Sequence, residues 1–347
     1  MRNKKINSVS LMIISTIAVL SGCSVAHEGP DEKVSVATIN ASSATIREKN
    51  PEADSDYIYS QLNEDEKRLF DQIREQCEQF YYGNEEPYVK KSVSGLEVLC
   101  CGDIDKGNLR DYEVEQVMQY FLLSCPKYFF LDQKIFNENG ECALILKKGY
   151  ASREVINTYR DQIEAKTGEW LESIRNLDDD LLKEKAAYDY IMENAEYDFD
   201  SYNAMAQYLN GTPIEETDLN SFNENCNNIV GFFTDGKVLC GGYARAMQYL
   251  CNVAGLDSLY IESGRGEHAW NMVKLFDDWY CIDVTWMDTG GDTTLDSKLV
   301  NKSYETFRSN DDIDNDDPMS GMFRYHSLGG LMQKMGPKCV KDTVSGQ

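Results

Sequence analysis

Three residue types suited to thiol chemistry occur in order in the second half of the chain: Cys240, His268 and Asp283. Cys240 stands in the run Gly236-Lys237-Val238-Leu239-Cys240-Gly241-Gly242-Tyr243-Ala244-Arg245-Ala246. Ala244, Met247, Leu250, Cys251 and Ala254 then recur at helical spacing, and Gly255 is a natural stop. That spacing predicts a helix with Cys240 at its first turn. A thiol there faces unpaired N–H groups and the positive end of the helix dipole, which favour a thiolate. Gly241 and Gly242 carry no side chains, so a substrate carbonyl can approach the backbone N–H groups, with Gly241 as a candidate oxyanion donor.

The following segments supply the rest of the chemistry. Leu259–Glu262 reads as a strand, Ser263–Gly266 as a turn, and His268–Leu275 as a second strand. Phe276-Asp277-Asp278 turns the chain, and Trp279–Trp286 is expected to return as a third strand. Antiparallel pairing around that turn brings Asp283 opposite the neighbourhood of Ala269, beside His268. One imidazole nitrogen then faces a carboxylate and the other is available to a thiol, the arrangement of nucleophile, base and orienting acid. The chain has only three histidines, and His27 and His326 have no such partnered strand.

Together, Cys240-Gly241-Gly242-Tyr243-Ala244, His268-Ala269-Trp270-Asn271, Trp279-Tyr280 and Asp283-Val284-Thr285-Trp286 resemble the transglutaminase-like superfamily, over roughly residues 178–330. The resemblance implies a papain-like α+β fold, a nucleophile helix packed on an antiparallel sheet. It assigns Cys240 as nucleophile, His268 as base and Asp283 as orienter, with no metal or organic cofactor. It implies attack on a peptide or carboxamide carbonyl of a protein or peptide substrate through a thioester. Transfer to water makes a peptidase or amidase, the expectation favoured by analogy; transfer to an amine makes a transamidase. A non-catalytic surface-binding protein with this fold is the alternative, although binding would not require all three groups. A cell-wall hydrolase would be expected to carry a wall-binding module, and none is recognisable. Bacterial members often place a small residue and a tyrosine shortly before the cysteine, whereas this stretch reads Asn227-Asn228-Ile229-Val230-Gly231-Phe232-Phe233. Asn228 is a candidate side-chain oxyanion donor or a helix cap. Trp270 and Trp286 are candidates to line the cleft, with strand packing as the competing role.

The elements that must position these groups fall into two expected domains. In residues 55–176, Asn63 can cap a helix carrying Leu69, Phe70, Ile73, Cys77 and Phe80. A strand at Leu96–Cys101, a helix with Val114, Val117, Met118, Phe121 and Leu122 ended by Pro126, and a buried strand at Cys142–Leu146 follow. A long helix after Ser152 is expected to turn Val155, Tyr159, Ile163, Trp170 and Ile174 inward. These make a smaller α+β domain without evident chemistry. The domain of residues 177–347 opens with a helix carrying Leu181, Leu182, Ala186 and Ile191.

The amino terminus reads as an address. Arg2, Lys4 and Lys5 precede a short apolar run, Val9–Leu20, and Leu20-Ser21-Gly22-Cys23 resembles a bacterial lipobox. Residues 1–22 are therefore expected to be a signal peptide, with Cys23 lipidated and residues 23–54 a polar tether on the extracytoplasmic face of the membrane. The net charge of −25, about −28 once the leader's three cations are removed, argues against nucleic-acid partners and electrostatic membrane docking. Most of the eleven cysteines sit in apolar runs without zinc-type spacing, so they read mainly as core thiols with room for one or two disulfides. Asp311–Asp317 lacks the glycine and glutamate of a calcium loop and reads as an acidic surface segment.

Overall fold

The computed structural model describes residues 56–91, 95, 97–138, 141–209, 222–262, 268–289, 299–308 and 337–342. The lipobox-like segment with Cys23, the tether, His27, the Asp311–Asp317 run and His326 lie outside these residues. The fold is α+β. Helix α1 (Asp56–Ser60) leads into α2 (Glu64–Tyr82), where Asn63 and Glu66 form the capping box and Leu69, Phe70, Ile73, Cys77 and Phe80 are buried, as their spacing predicts. Strands β1 (Tyr88–Lys91), β2 (Glu97–Ile104), β3 (Leu131–Glu138) and β4 (Glu141–Leu146) form an antiparallel sheet in the order β1-β2-β4-β3. Helix α3 (Asp111–Ser124) packs against α2, and α4 (Arg153–Ile174) runs on from the Ser152 cap.

Two helices turn differently from expectation. On α4 the buried stripe is Arg153, Ile156, Arg160, Ile163, Thr167, Trp170 and Ile174, while Val155 and Tyr159 are only partly buried. The arginines face inward because their guanidinium groups reach free carbonyls at the end of α2: Arg160 donates to Tyr81 O at 2.8 Å, and Arg153 to Phe80 O. On α5 (Asp180–Asn194) the buried positions are Glu184, Ala187 and Ile191, and Leu182 is 51% exposed. A carboxyl on the inner face shifts the stripe away from the apolar count.

In the second half, β5 (Glu196–Tyr197) pairs in parallel with β6 (Lys237–Val238), which ends immediately before Leu239 and α8 (Cys240–Val253). Helices α6 (Phe199–Leu209) and α7 (Ile229–Thr234) lie between them in the chain. Strands β7 (Ser258–Glu262), β8 (Ala269–Leu275) and β9 (Asp278–Ile282) form an antiparallel sheet in that order. The hairpin β8–β9 turns through Phe276, whose φ of 58° is unusual for a bulky residue; its N–H donates to Asp180 Oδ2 of α5 at 3.0 Å. Helix α8 is buried at every position except Arg245 and packs on β7, β8, α5, α7 and α9 (Val284–Thr289). Among the described residues no helix is long and apolar enough to cross a membrane.

Candidate active site

Cys240 occupies the first position of α8 and is 3% exposed. No side chain caps this helix start; Leu239 supplies the capping carbonyl, to Gly242 N at 2.9 Å and Tyr243 N at 3.1 Å. The Cys240 and Gly241 N–H groups have no carbonyl within the helix to bond, which leaves two donors beside the sulfur. The two glycines serve different ends. A Cβ on Gly242 would lie 2.4 Å from Cys226 O and 2.6 Å from Val238 Cβ, so it is the protein's own backbone that approaches there. A Cβ on Gly241 would meet the Asn227 side chain at 2.7 Å.

His268 directly precedes β8, and Asp283 directly follows β9. The register puts Asn271 opposite Ile282, so the next positions outward are Trp270 and Asp283, close to the expected alignment. His268 Nε2 lies 2.5 Å from Asp283 Oδ2. The Cys240 thiol interacts with the same imidazole, whose Nε2 is held by the carboxylate and whose Nδ1 is buried. Burial by itself pushes the imidazole's pKa down. The Asp283 carboxylate and the Cys240 sulfur outweigh it and hold the group at about 10.

Asp283 is fully buried and does two jobs. The expected strand Trp279–Trp286 in fact stops at Ile282, because Asp283 Oδ1 accepts the Trp286 N–H at 3.0 Å and starts α9. Its own N–H donates to Leu299 O at 3.0 Å. Asn271 ties the histidine strand to the cysteine helix: its buried amide donates to Ala244 O at 2.9 Å and Leu259 O at 3.3 Å.

The remaining expected site residues separate. Trp286 is half-buried and presents its edge to His268 at 5.9 Å, so it stays at the rim. Trp270 is 1% exposed, stacked beneath His268 at 6.0 Å and packed on Phe307; it is a floor for the imidazole rather than a wall of the cleft. Asn228 is a cap, since its Oδ1 accepts the Val230 N–H at 2.8 Å and its Nδ2 donates to Asn225 at 3.2 Å. These two bonds match the cap reading of Asn228, and the asparagine packed against Gly241 is its neighbour Asn227.

Tyr197 is the residue that sequence reasoning missed. Its ring stacks on Tyr243 at 6.4 Å, and its hydroxyl is buried without a hydrogen-bond partner among the described residues. Burial raises its pKa well above the ordinary tyrosine value, and interaction with Cys240 raises it further, so it remains a proton donor near the sulfur. The pairing of Tyr197 with Val238, two residues before Cys240, brings it there. A two-residue parallel bridge leaves no periodicity to read. Among the described residues no group of three or more His, Cys, Asp or Glu side chains is arranged to hold a metal ion.

This geometry coincides with likeness to known proteins. The chain is similar to kyphoscoliosis peptidase. It is 28% identical to that protein from Homo sapiens over 176 residues, which cover 44% of this chain and 23% of the relative. The kyphoscoliosis peptidase of Mus musculus is 27% identical over 141 residues, 36% of this chain and 19% of the relative. The chain thus spans about a quarter or less of the length of the curated relatives it matches. Among solved structures, a crystal structure of a TGase aligns over 46% of this chain and 45% of its own, with 18% identity and a TM-score of 0.32. No protein-family model matches the chain.

Proposed function

We propose that this protein is a transglutaminase-like thiol enzyme that hydrolyses peptide or carboxamide bonds through Cys240, His268 and Asp283. The observation carrying this reading is the His268 imidazole held between a buried carboxylate, 2.5 Å from Nε2, and the Cys240 thiol. A cationic imidazole on one side and first-turn N–H groups on the other are the surroundings that make a sulfur nucleophilic at neutral pH. The Cys240 sulfur attacks the carbonyl carbon. The oxyanion is received by the first-turn N–H groups, including that of Gly241, and by the Tyr197 hydroxyl. His268 then passes its proton to the leaving amine, and water, deprotonated by the neutral imidazole, cleaves the thioester. Asp283 keeps the ring oriented throughout. The similarity to proteins named as peptidases supports hydrolysis over transfer to an amine.

The test is brief exposure of the 24–347 fragment to limiting iodoacetamide, followed by peptide mass spectrometry. Cys240 is expected to be alkylated ahead of the other thiols, and His268→Ala to slow it at least tenfold. Alkylation no faster than elsewhere, or indifferent to His268→Ala, overturns the reading. The lipobox-like Leu20–Cys23 supports attachment to the extracytoplasmic membrane face through Cys23. Metabolic labelling with a fatty-acid analogue should mark the wild type and not Cys23→Ala.

A further inference from the structure

Outside the triad, two thiols meet along the outer edge of β9. Cys281 lies in that strand two residues before Asp283 and is fully buried; Cys339 belongs to the carboxy-terminal segment 337–342. Their sulfurs are 3.7 Å apart. The backbones that carry them are fixed from both sides. Cys281 exchanges hydrogen bonds with Lys302, N–H to O at 2.9 Å and O to N–H at 3.1 Å, and Cys339 O accepts the Tyr304 N–H at 2.8 Å. Asp342 Oδ1 accepts the Ser303 hydroxyl at 2.6 Å and the Ser303 N–H at 3.1 Å, and its carbonyl accepts Lys302 Nζ at 3.2 Å. Residues 299–303 therefore line the free edge of β9, and residues 337–342 are laced over them with one sulfur aimed at the strand. Closing 3.7 Å to a bond of about 2 Å takes side-chain rotation between anchored backbones, not a backbone rearrangement. Cys77 and Cys101 also interact, but both are buried in the amino-terminal core. Cys339 is itself buried, at 6% exposed, but it sits in a surface segment between exposed Lys338 and Val340, so its sulfur lies one residue from solvent rather than within that core.

We propose that Cys281 and Cys339 form a disulfide that fastens the carboxy-terminal segment to the sheet edge beside Asp283. The oxidant is a disulfide of the exported compartment, either a low-molecular-weight disulfide or a disulfide oxidoreductase. Cys339 is the attacking thiol. The Cys281 thiol and backbone N–H groups around it hold it below the ordinary thiol range, against the opposing effect of burial, whereas burial pushes Cys281 up. The Cys339 thiolate attacks one sulfur of the oxidant and expels the other as a thiolate. Cys281 gives its proton to that leaving thiolate and attacks the Cys339 sulfur, releasing the second small thiol. Two protein thiols and one disulfide thus become one protein disulfide and two small thiols.

The experiment uses the full chain, reduced and then incubated with oxidised glutathione. Free thiols are blocked with N-ethylmaleimide before digestion and mass spectrometry. A linked peptide pair containing Cys281 and Cys339 is expected. The bond closes a loop of 58 residues, so Tm should rise by roughly 5 °C or more, reversibly with dithiothreitol. Cys339→Ser, a change on the outer segment, should abolish both the link and the rise. Recovery of both residues as maleimide adducts, or of Cys339 linked to another cysteine, overturns the proposal. Because peptide mapping of the wild type needs no variant and no turnover, its failure is separate from failure of the thiol-enzyme reading.

Discussion

Asp283→Asn removes the charge beside His268 while leaving a side-chain oxygen to accept the Trp286 N–H. The difference between about 10 and the ordinary 6.5 amounts to about 5 kcal/mol of preference for the imidazolium. Asp283 supplies the larger favourable share and Cys240 the rest, opposed by burial. Loss of the carboxylate should therefore lower the His268 pKa by at least two pH units, about 3 kcal/mol. Ring-proton NMR of the wild type, Asp283→Asn and, for assignment, His268→Ala reads this directly. A linked stability effect accompanies it. Because the folded pKa lies above the unfolded one, the contribution from His268 is complete below about pH 6.5 and disappears as pH rises toward 10. In Asp283→Asn that alkaline loss should shrink. Asp283→Ala should cost about 1 kcal/mol more than Asn at every pH, since the cap of α9 goes with it. A wild-type His268 titrating near 6.5, or one unmoved by Asp283→Asn, would refute the charge-pair account.

Glu184 offers a pH effect away from the site. Burial lifts its carboxyl to about 8 against the opposing hydrogen bond from Asn301 Nδ2 at 2.7 Å, so the folded protein binds a proton that the unfolded chain releases near 4.5. Stability should fall by about 3 kcal/mol between pH 4.5 and 7; Glu184→Gln should flatten that slope in urea titrations, and an unchanged slope rejects the buried-carboxyl account. Gly242→Ala forces a methyl against Cys226 O and Val238 Cβ and should cost about 2 kcal/mol or more, read as a Tm drop; an unchanged Tm would show that β6 and α8 can separate there. Tyr197→Phe should slow acylation of Cys240 by a nitrophenyl ester about a hundredfold and leave iodoacetamide alkylation unchanged, because only carbonyl attack develops an oxyanion. Equal slowing of both reactions would assign Tyr197 to structure alone.

The order of elements around the site was legible because its signals are local. Helical spacing after Cys240, a turn at Asp277 and the cap at Asn63 each involve a few neighbouring residues. Alternation also gave the β8–β9 pairing to within a residue. It did not reveal that Asp283 ends its strand, because Val284, Thr285 and Trp286 favour a strand and are overridden by one carboxylate-to-amide bond. The inner faces of α4 and α5 were misjudged for a related reason. Arg153, Arg160 and Glu184 are buried by partners distant in sequence, which an apolar count treats as solvent positions. Tyr197 and the stacked position of Trp270 follow from tertiary pairing, and residue type alone does not express it.

Arg245 joins the two halves of the chain. From the second turn of α8 its guanidinium donates to Leu122 O at 2.8 Å and Leu123 O at 3.3 Å, at the end of α3, while lying 4.0 Å over the Tyr260 ring. Gln248 adds a bond to Leu123 O at 2.6 Å. The amino-terminal half thereby acts as the bench to which the Cys240 helix is bolted. A chain cut at residue 177 would keep Cys240, His268 and Asp283 and lose the contacts of Arg245 and Gln248 with Leu122 and Leu123. Domain shuffling that treats residues 177–347 as a portable cassette would have to carry the last turn of α3 with it.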